Sequence, residues 1–259
     1  MVLMDNRTSH QPRRRGRPSK SGAPPLSKET LVAAALEMTR VTEQQPLTFR
    51  ALGARLGVDP AALYRCTPSK DALLLAVADG IYQQALEGFD ETDDWRDDLY
   101  NLLSQVHQAY LEHPQVAVSA VTRITRLSAE MEFTETTLRL LEAAGMAASQ
   151  AVLAYRALED TMLAWTGFRA NLLLMKDAQA EKDDWERVYR NADAKRYPRV
   201  VTQATPMTSI SLQEGFEASI NLLLDGITAQ ISRSCFFPAE AQTPHTDQQS
   251  SDRPCGGES

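Results

Sequence analysis

The sequence has too little cysteine to be held together by it. Cys66, Cys235 and Cys255 are the three in 259 residues, widely spaced and without a Cys-x-x-Cys pair. That pattern argues against a disulfide framework or a zinc ribbon and fits a reducing compartment. Long apolar runs are also missing. The most apolar helical stretch, Thr161 to Met175, is broken by Arg169 and Asn171 and is too short to span a bilayer. Residues 1–25 are polar and rich in Arg and Pro, with no apolar core of a secretory signal. A cytoplasmic protein with no membrane partner is expected. Convincing strand alternation is absent, as is any internal repeat. No Gly-x-Ser-x-Gly elbow, phosphate loop or His-Glu-x-x-His occurs. The acidic run Asp90 to Asp98 lacks the ligand and glycine spacing of a calcium loop and reads as solvated. Neither enzymatic residues nor a metal or cofactor is expected.

What is present is apolar residues at 43%, enough for a real core, and an uneven charge. The net charge is -7, yet residues 1–75 hold 12 Lys and Arg against 6 Asp and Glu, and the remainder 15 against 28. A basic end on an acidic body steers that end alone toward a polyanion. The length suggests a small and a larger domain. Residues 1–26 read as a flexible basic arm, 27–75 as a small helical domain, 76–234 as a larger helical domain and 235–259 as a disordered tail.

The small domain carries local stop and start signals. Ser27 can cap a first helix with Leu31, Ala35 and Met38 on one face. Thr48 can cap a second with Phe49, Leu52 and Leu56 inward. Gly57 stands where a helix needs a left-handed residue, and Asp59-Pro60 opens a third helix reaching about Cys66. Ser69 then caps a longer fourth helix. Two helices joined by the tight turn Leu56-Gly57-Val58-Asp59 make a helix-turn-helix.

At this point the run from Leu47 to Arg65, continued by Ser69-Lys70-Asp71-Ala72-Leu73-Leu74, resembles the DNA-binding domain of the TetR family of regulators. The likeness lies in Thr and Leu opening the second helix, Leu-Gly-Val at the turn, Leu-Tyr in the recognition helix and a following Lys. It implies an all-α fold, with an N-terminal three-helix helix-turn-helix domain ahead of a helical ligand-binding and dimerisation domain. Small Ala61 and Ala62 allow close approach to base edges, and they are also good helix formers. The resemblance gives Tyr64 and Lys70 to phosphates, and Arg50 to a base or a phosphate. Lys70 opposes its own helix dipole unless both face an anion. Arg65 replaces an aromatic residue common in the family, so no operator sequence is carried over. In the arm, Arg14, Arg15 and Arg17 around Gly16 resemble minor-groove hooks, the alternative being a plain polybasic tail.

The larger domain reads as five or six helices between about 93 and 233. Trp95, Leu99, Leu102, Val106 and Tyr110 mark one face of a helix ending at His113-Pro114. Residues 149–175 carry two apolar stripes, one through Tyr155, Leu158, Met162 and Trp165, the other through Leu153, Ala157, Ala164 and Phe168. The last helix aligns Phe216, Ile220, Leu223, Ile227 and Ile231, widened by Leu222 and Leu224. Two such helices per subunit would form a four-helix homodimer interface, as the family builds it. His107, Tyr110, Arg123, Trp165, Arg169 and Asn171 are candidates for lining a small-molecule cavity. The metal-assisted site of the tetracycline repressors needs two histidines; His113 falls near one place, but Leu86 stands where the partner is needed. The resemblance therefore implies a repressor released from a palindromic double-stranded operator by a small molecule other than tetracycline-magnesium. The rivals are a DNA-binding protein with a protein partner in place of an effector, and a helical enzyme with a vestigial helix-turn-helix.

Overall fold

The structure, a computed structural model, describes residues 26–43 and 45–236. Arg14, Arg15 and Arg17, and the expected tail beyond Phe236, lie outside the described residues. Among these residues there are eleven helices and no strand. The small domain comprises α1 (Lys28–Thr39), α2 (Phe49–Leu56) and α3 (Pro60–Leu63), and α4 (Lys70–Glu87) leads out of it. The expected domain boundary at 75/76 falls inside α4, which runs unbroken from one core to the other.

Local chemistry explains the first four helices. The side chains of Ser27, Thr48, Asp59 and Ser69 each accept a backbone N–H of the helix they open, at 3.2, 3.1, 2.7 and 3.0 Å. These bonds satisfy donors that the helix itself leaves bare. Gly57 closes α2 at φ 66, a backbone angle that side chains resist. Gly53 is needed for a different reason: a Cβ there would meet the Val58 carbonyl oxygen at 2.9 Å. The absent side chain lets α2 and the turn touch. The third helix is shorter than expected. Regular helix stops at Leu63, and i to i+3 turns (Arg65 N–H to Ala62 O, Cys66 N–H to Leu63 O) carry the chain on to Cys66. Leu31, Leu52, Leu63 and Val77 are fully buried and form the small core.

The larger domain has seven helices, more than the five or six expected: α5 (Trp95–Leu111), α6 (Pro114–Ala120), α7 (Ser128–Ala143), α8 (Ala148–Leu174), α9 (Ala178–Arg190), α10 (Pro198–Ser209) and α11 (Leu212–Phe236). They include the short α6, opened by Pro114, and a hairpin in which α9 packs on α10. No residue of α9 is buried, and its short apolar stripe of Trp185, Val188 and Tyr189 stays largely exposed. The core gathers Leu99, Leu102, Val106, Phe133, Leu158 and Phe216. Burying each large side chain contributes about 2 kcal/mol.

The two domains meet at the end of α1. The Thr39 hydroxyl donates to the Ala35 carbonyl at 2.9 Å, so at 3.0 Å it accepts the Nδ1–H of His113 from the α5–α6 turn. Val41 N–H donates to the Glu112 carbonyl at 2.6 Å. His113 thus belongs to the domain junction.

Candidate functional site

The exposed face of the small domain is built from the ends of three helices. Ala61 is exposed and Ala62 half-buried on α3, while Leu63 points into the core. Tyr64 follows at 59% exposure. Its ring packs edge-on against Phe49 of α2, with centroids 4.6 Å apart and an interplanar angle of 79°. That contact fixes the ring by its body and leaves the phenol outside the core. Arg50, Arg65 and Lys70 are all exposed.

These three cations stand apart from most of their neighbours. Arg55 is paired with Glu43 at 3.0 Å and Arg40 with Glu37 at 3.6 Å, whereas Arg50, Arg65 and Lys70 form no ion pair among the described residues. Thr48 and Lys70 line one 200 Å³ cleft, so the N-termini of α2 and α4 lie close together. Two positive dipole ends, these three exposed cations and an anchored tyrosine make a surface suited to polyanionic phosphate.

The six cavity candidates of the larger domain do not assemble as one set. Three converge between α5, α8 and α11. The His107 ring stacks on Phe216, with centroids 4.0 Å apart. Thr166 donates its hydroxyl to the Met162 carbonyl at 2.7 Å, so His107 Nδ1–H donates to Thr166 at 2.8 Å. Nε2 then accepts from Arg169 at 2.8 Å. Burial, with the Arg169 charge beside it, lowers the His107 pKa to about 4, and the ring is neutral. Arg169 also donates to Gln213 at 2.7 Å, and Trp165 Nε1–H donates to Ser219 at 3.0 Å. Desolvation lowers the Arg169 pKa, and no carboxylate pairs with it among the described residues.

The other three lie elsewhere. Tyr110 is buried against Tyr82, and burial pushes its phenol well up. Arg123 is exposed and pairs with Asp71 of α4 at 3.5 Å, at the domain junction. Asn171 is exposed and bonds the Gly167 carbonyl of its own helix. A cavity of about 460 Å³ opens instead between α7 and α8, where Ile124, Glu130, Met131, Tyr155 and Glu159 line it. Glu159 is buried there with a raised pKa, chiefly through burial. Sequence reasoning missed this cavity, because its lining comes from the faces of two separate helices and a loop. No group of His, Cys, Asp and Glu suited to a metal occurs among the described residues.

A surface helix-turn-helix on an all-helical body defines a DNA-binding regulator. The comparisons carry this to a family. The model of the tetracyclin repressor-like C-terminal domain matches residues 87–231. The class A tetracycline repressor from Escherichia coli transposon 1721 is 28% identical over 207 residues, 78% of this chain and 90% of that protein. A transcriptional regulator of Saccharopolyspora erythraea is 28% identical over 109 residues, 41% of this chain and only 46% of its own length. Among solved structures, a Streptomyces coelicolor TetR regulator superposes with TM-score 0.68 at 28% identity, covering 79% of this chain and 99% of that one. Apo ActR of the same organism has the same fold, with TM-score 0.72 at 22% identity, covering 82% and 99%. The chain belongs to the TetR family, whose members are DNA-binding transcription regulators and not enzymes.

Proposed function

We propose that this regulator is a cytoplasmic homodimer that represses from a palindromic operator and leaves it when a small molecule enters the larger domain. Residues 27–75 are the DNA-binding unit and 76–234 the effector and dimerisation unit. The observation that carries the reading is the exposed set Arg50, Arg65 and Lys70, unpaired among the described residues, together with the anchored Tyr64 and the small Ala61 and Ala62. The tyrosine hydroxyl and Lys70 take phosphates, the alanines allow close approach, and Arg50 and Arg65 reach for base edges or phosphates. The arm with Arg14, Arg15 and Arg17 adds minor-groove contacts.

The dimer reading rests on bare apolar side chains. Leu153 and Phe168 of the second α8 stripe are 72% and 52% exposed, and Leu222 of α11 is 71% exposed. Leu153 and Leu222 line a groove of about 480 Å³ between α8 and α11. A second copy related by a two-fold axis would cover both helices and present two recognition elements to two half-sites. For the effector, the cavity between α7 and α8 is one candidate site, and the cluster of His107, Trp165 and Arg169 is another. ActR has been crystallised with actinorhodin, and the class A relative is a tetracycline repressor, so an organic ligand in this domain has precedent among similar proteins. No helix among the described residues is long and apolar enough to cross a membrane.

In vitro selection from a random pool of duplex DNA tests the reading. A two-fold symmetric consensus is expected. Failure to enrich any sequence would remove the operator-binding function.

A further inference from the structure

The N-terminus of α7 is capped by a residue that is not its own. Leu127 precedes the helix and offers no side-chain cap. The bare N–H groups of Ala129 and Glu130, the two donors an N-cap oxygen ordinarily accepts, instead reach Oδ1 of Asp79 at 3.1 and 3.0 Å. Asp79 lies in the middle of α4, the helix whose first turn carries Lys70. One carboxylate therefore ties the helix leaving the DNA-binding domain to a helix of the effector domain.

A single hydroxyl hydrogen connects this tie to the cavity between α7 and α8. Thr125 Oγ1 lies 2.6 Å from Glu130 Oε2 and 3.3 Å from Asp79 Oδ1. It has one hydrogen and two carboxylates to give it to. Glu130 also accepts the Arg126 N–H at 2.8 Å and lines the cavity beside Tyr155 and Glu159. Between them Arg126 sits at φ 60, a strained angle for a residue with a side chain. The loop is thus held by the same bonds that hold α4.

We propose that Asp79 is the positioning residue that sets α4 against the effector domain, with the Thr125 hydroxyl exchanging between Glu130 and Asp79 as the cavity fills or empties. The inference deepens the reading of the chain as a ligand-responsive regulator and rests on it. When the hydroxyl serves Glu130, Asp79 keeps only the two amides. When an occupant of the cavity engages Glu130, the hydroxyl is free to add a third bond to Asp79, and α4 is held more tightly. Coupling of this kind is reciprocal, so DNA bound at α3 and α4 must be felt at the start of α7.

The experiment uses the full-length protein and a duplex it selects from the random pool. Amide exchange is followed across Thr125–Phe133, the segment containing Ala129 and Glu130, with and without that duplex. DNA is expected to change exchange of these amides by about fivefold or more in the wild type. Asp79→Ala should abolish the DNA-dependent change, and Asp79→Asn, whose carboxamide oxygen still caps a helix, should restore it. Thr125→Val leaves the cap in place and should shrink the response, while Thr125→Ser should return it. A full response in Asp79→Ala, or none in a wild type that does bind its duplex, overturns the inference and leaves the regulator reading standing. A full response in Thr125→Val removes the hydroxyl exchange. A wild type that selects no duplex defeats the regulator reading itself, and this inference with it.

Discussion

The two halves of the molecule treat polar groups in opposite ways. In the DNA-binding domain Arg50, Arg65 and Lys70 are exposed and, among the described residues, unpaired, and each helix is capped by a residue adjacent to it in sequence. In the effector domain several polar groups face inward and are held by partners from distant elements. His107 is bonded to Thr166 and Arg169, some 60 residues on, and Asp79 caps a helix 50 residues away. A surface that must meet many phosphates is best left unneutralised. An interior that must change state with a ligand is built from bonds that can be exchanged.

The largest effect expected of this contrast is in the effector core. Phe133→Ala should cost about 3 to 5 kcal/mol, because a fully buried ring leaves a cavity that its neighbours only partly fill. Urea unfolding measures it, and a loss below 1 kcal/mol would mean the core is packed otherwise.

Acid should also strike this half first. His107 and His113 are fully buried and neutral, and burial lowers each pKa to about 4. Unfolding returns each to its ordinary value near 6.5, so between these pH values the unfolded chain binds more protons than the folded one. Stability therefore falls as pH drops from 6.5 toward 4, by roughly 2 kcal/mol for each histidine. Unfolding curves at a series of pH values report this slope. Replacing both histidines with glutamine should flatten it, and an unchanged slope would place the acid-sensitive groups elsewhere.

Smaller effects belong to the DNA-binding domain. Ser69→Ala removes the cap of α4 and should cost about 1 kcal/mol in stability. Breaking the exposed Arg55–Glu43 pair should cost no more than about 0.5 kcal/mol. A larger loss from the ion pair than from the cap would contradict the view that local capping holds this half together.

The same contrast decides how much was legible in the sequence. Ser27, Thr48, Gly57, Asp59 and Ser69 were readable because a cap or a left-handed turn is fixed by residues within a few positions. The family resemblance then identified the exposed face from Tyr64 and Lys70. The close approach at Gly53 was not readable, since it depends on how α2 meets the following turn. Nor were the separate fates of Arg123, drawn to Asp71, and Asn171, folded back on its own helix. Helical periodicity tells which residues face inward and not which neighbours they find there. The pairing of α9 with α10 was obscured for a related reason, as the short apolar stripe of α9 does not say which element it meets.

The most direct test of the central claim compares the wild type with a Tyr64→Phe/Lys70→Ala variant on the selected duplex at one fixed salt concentration. Both substitutions lie on the exposed surface, so thermal stability should stay within about 0.5 kcal/mol of the wild type. The account predicts a loss of DNA affinity of about tenfold or more as two phosphate contacts are removed, and a shallower salt dependence because the Lys70 contact is cationic. Affinity within twofold of the wild type, with the salt dependence unchanged, would contradict it and move the DNA-binding face away from α3 and the start of α4.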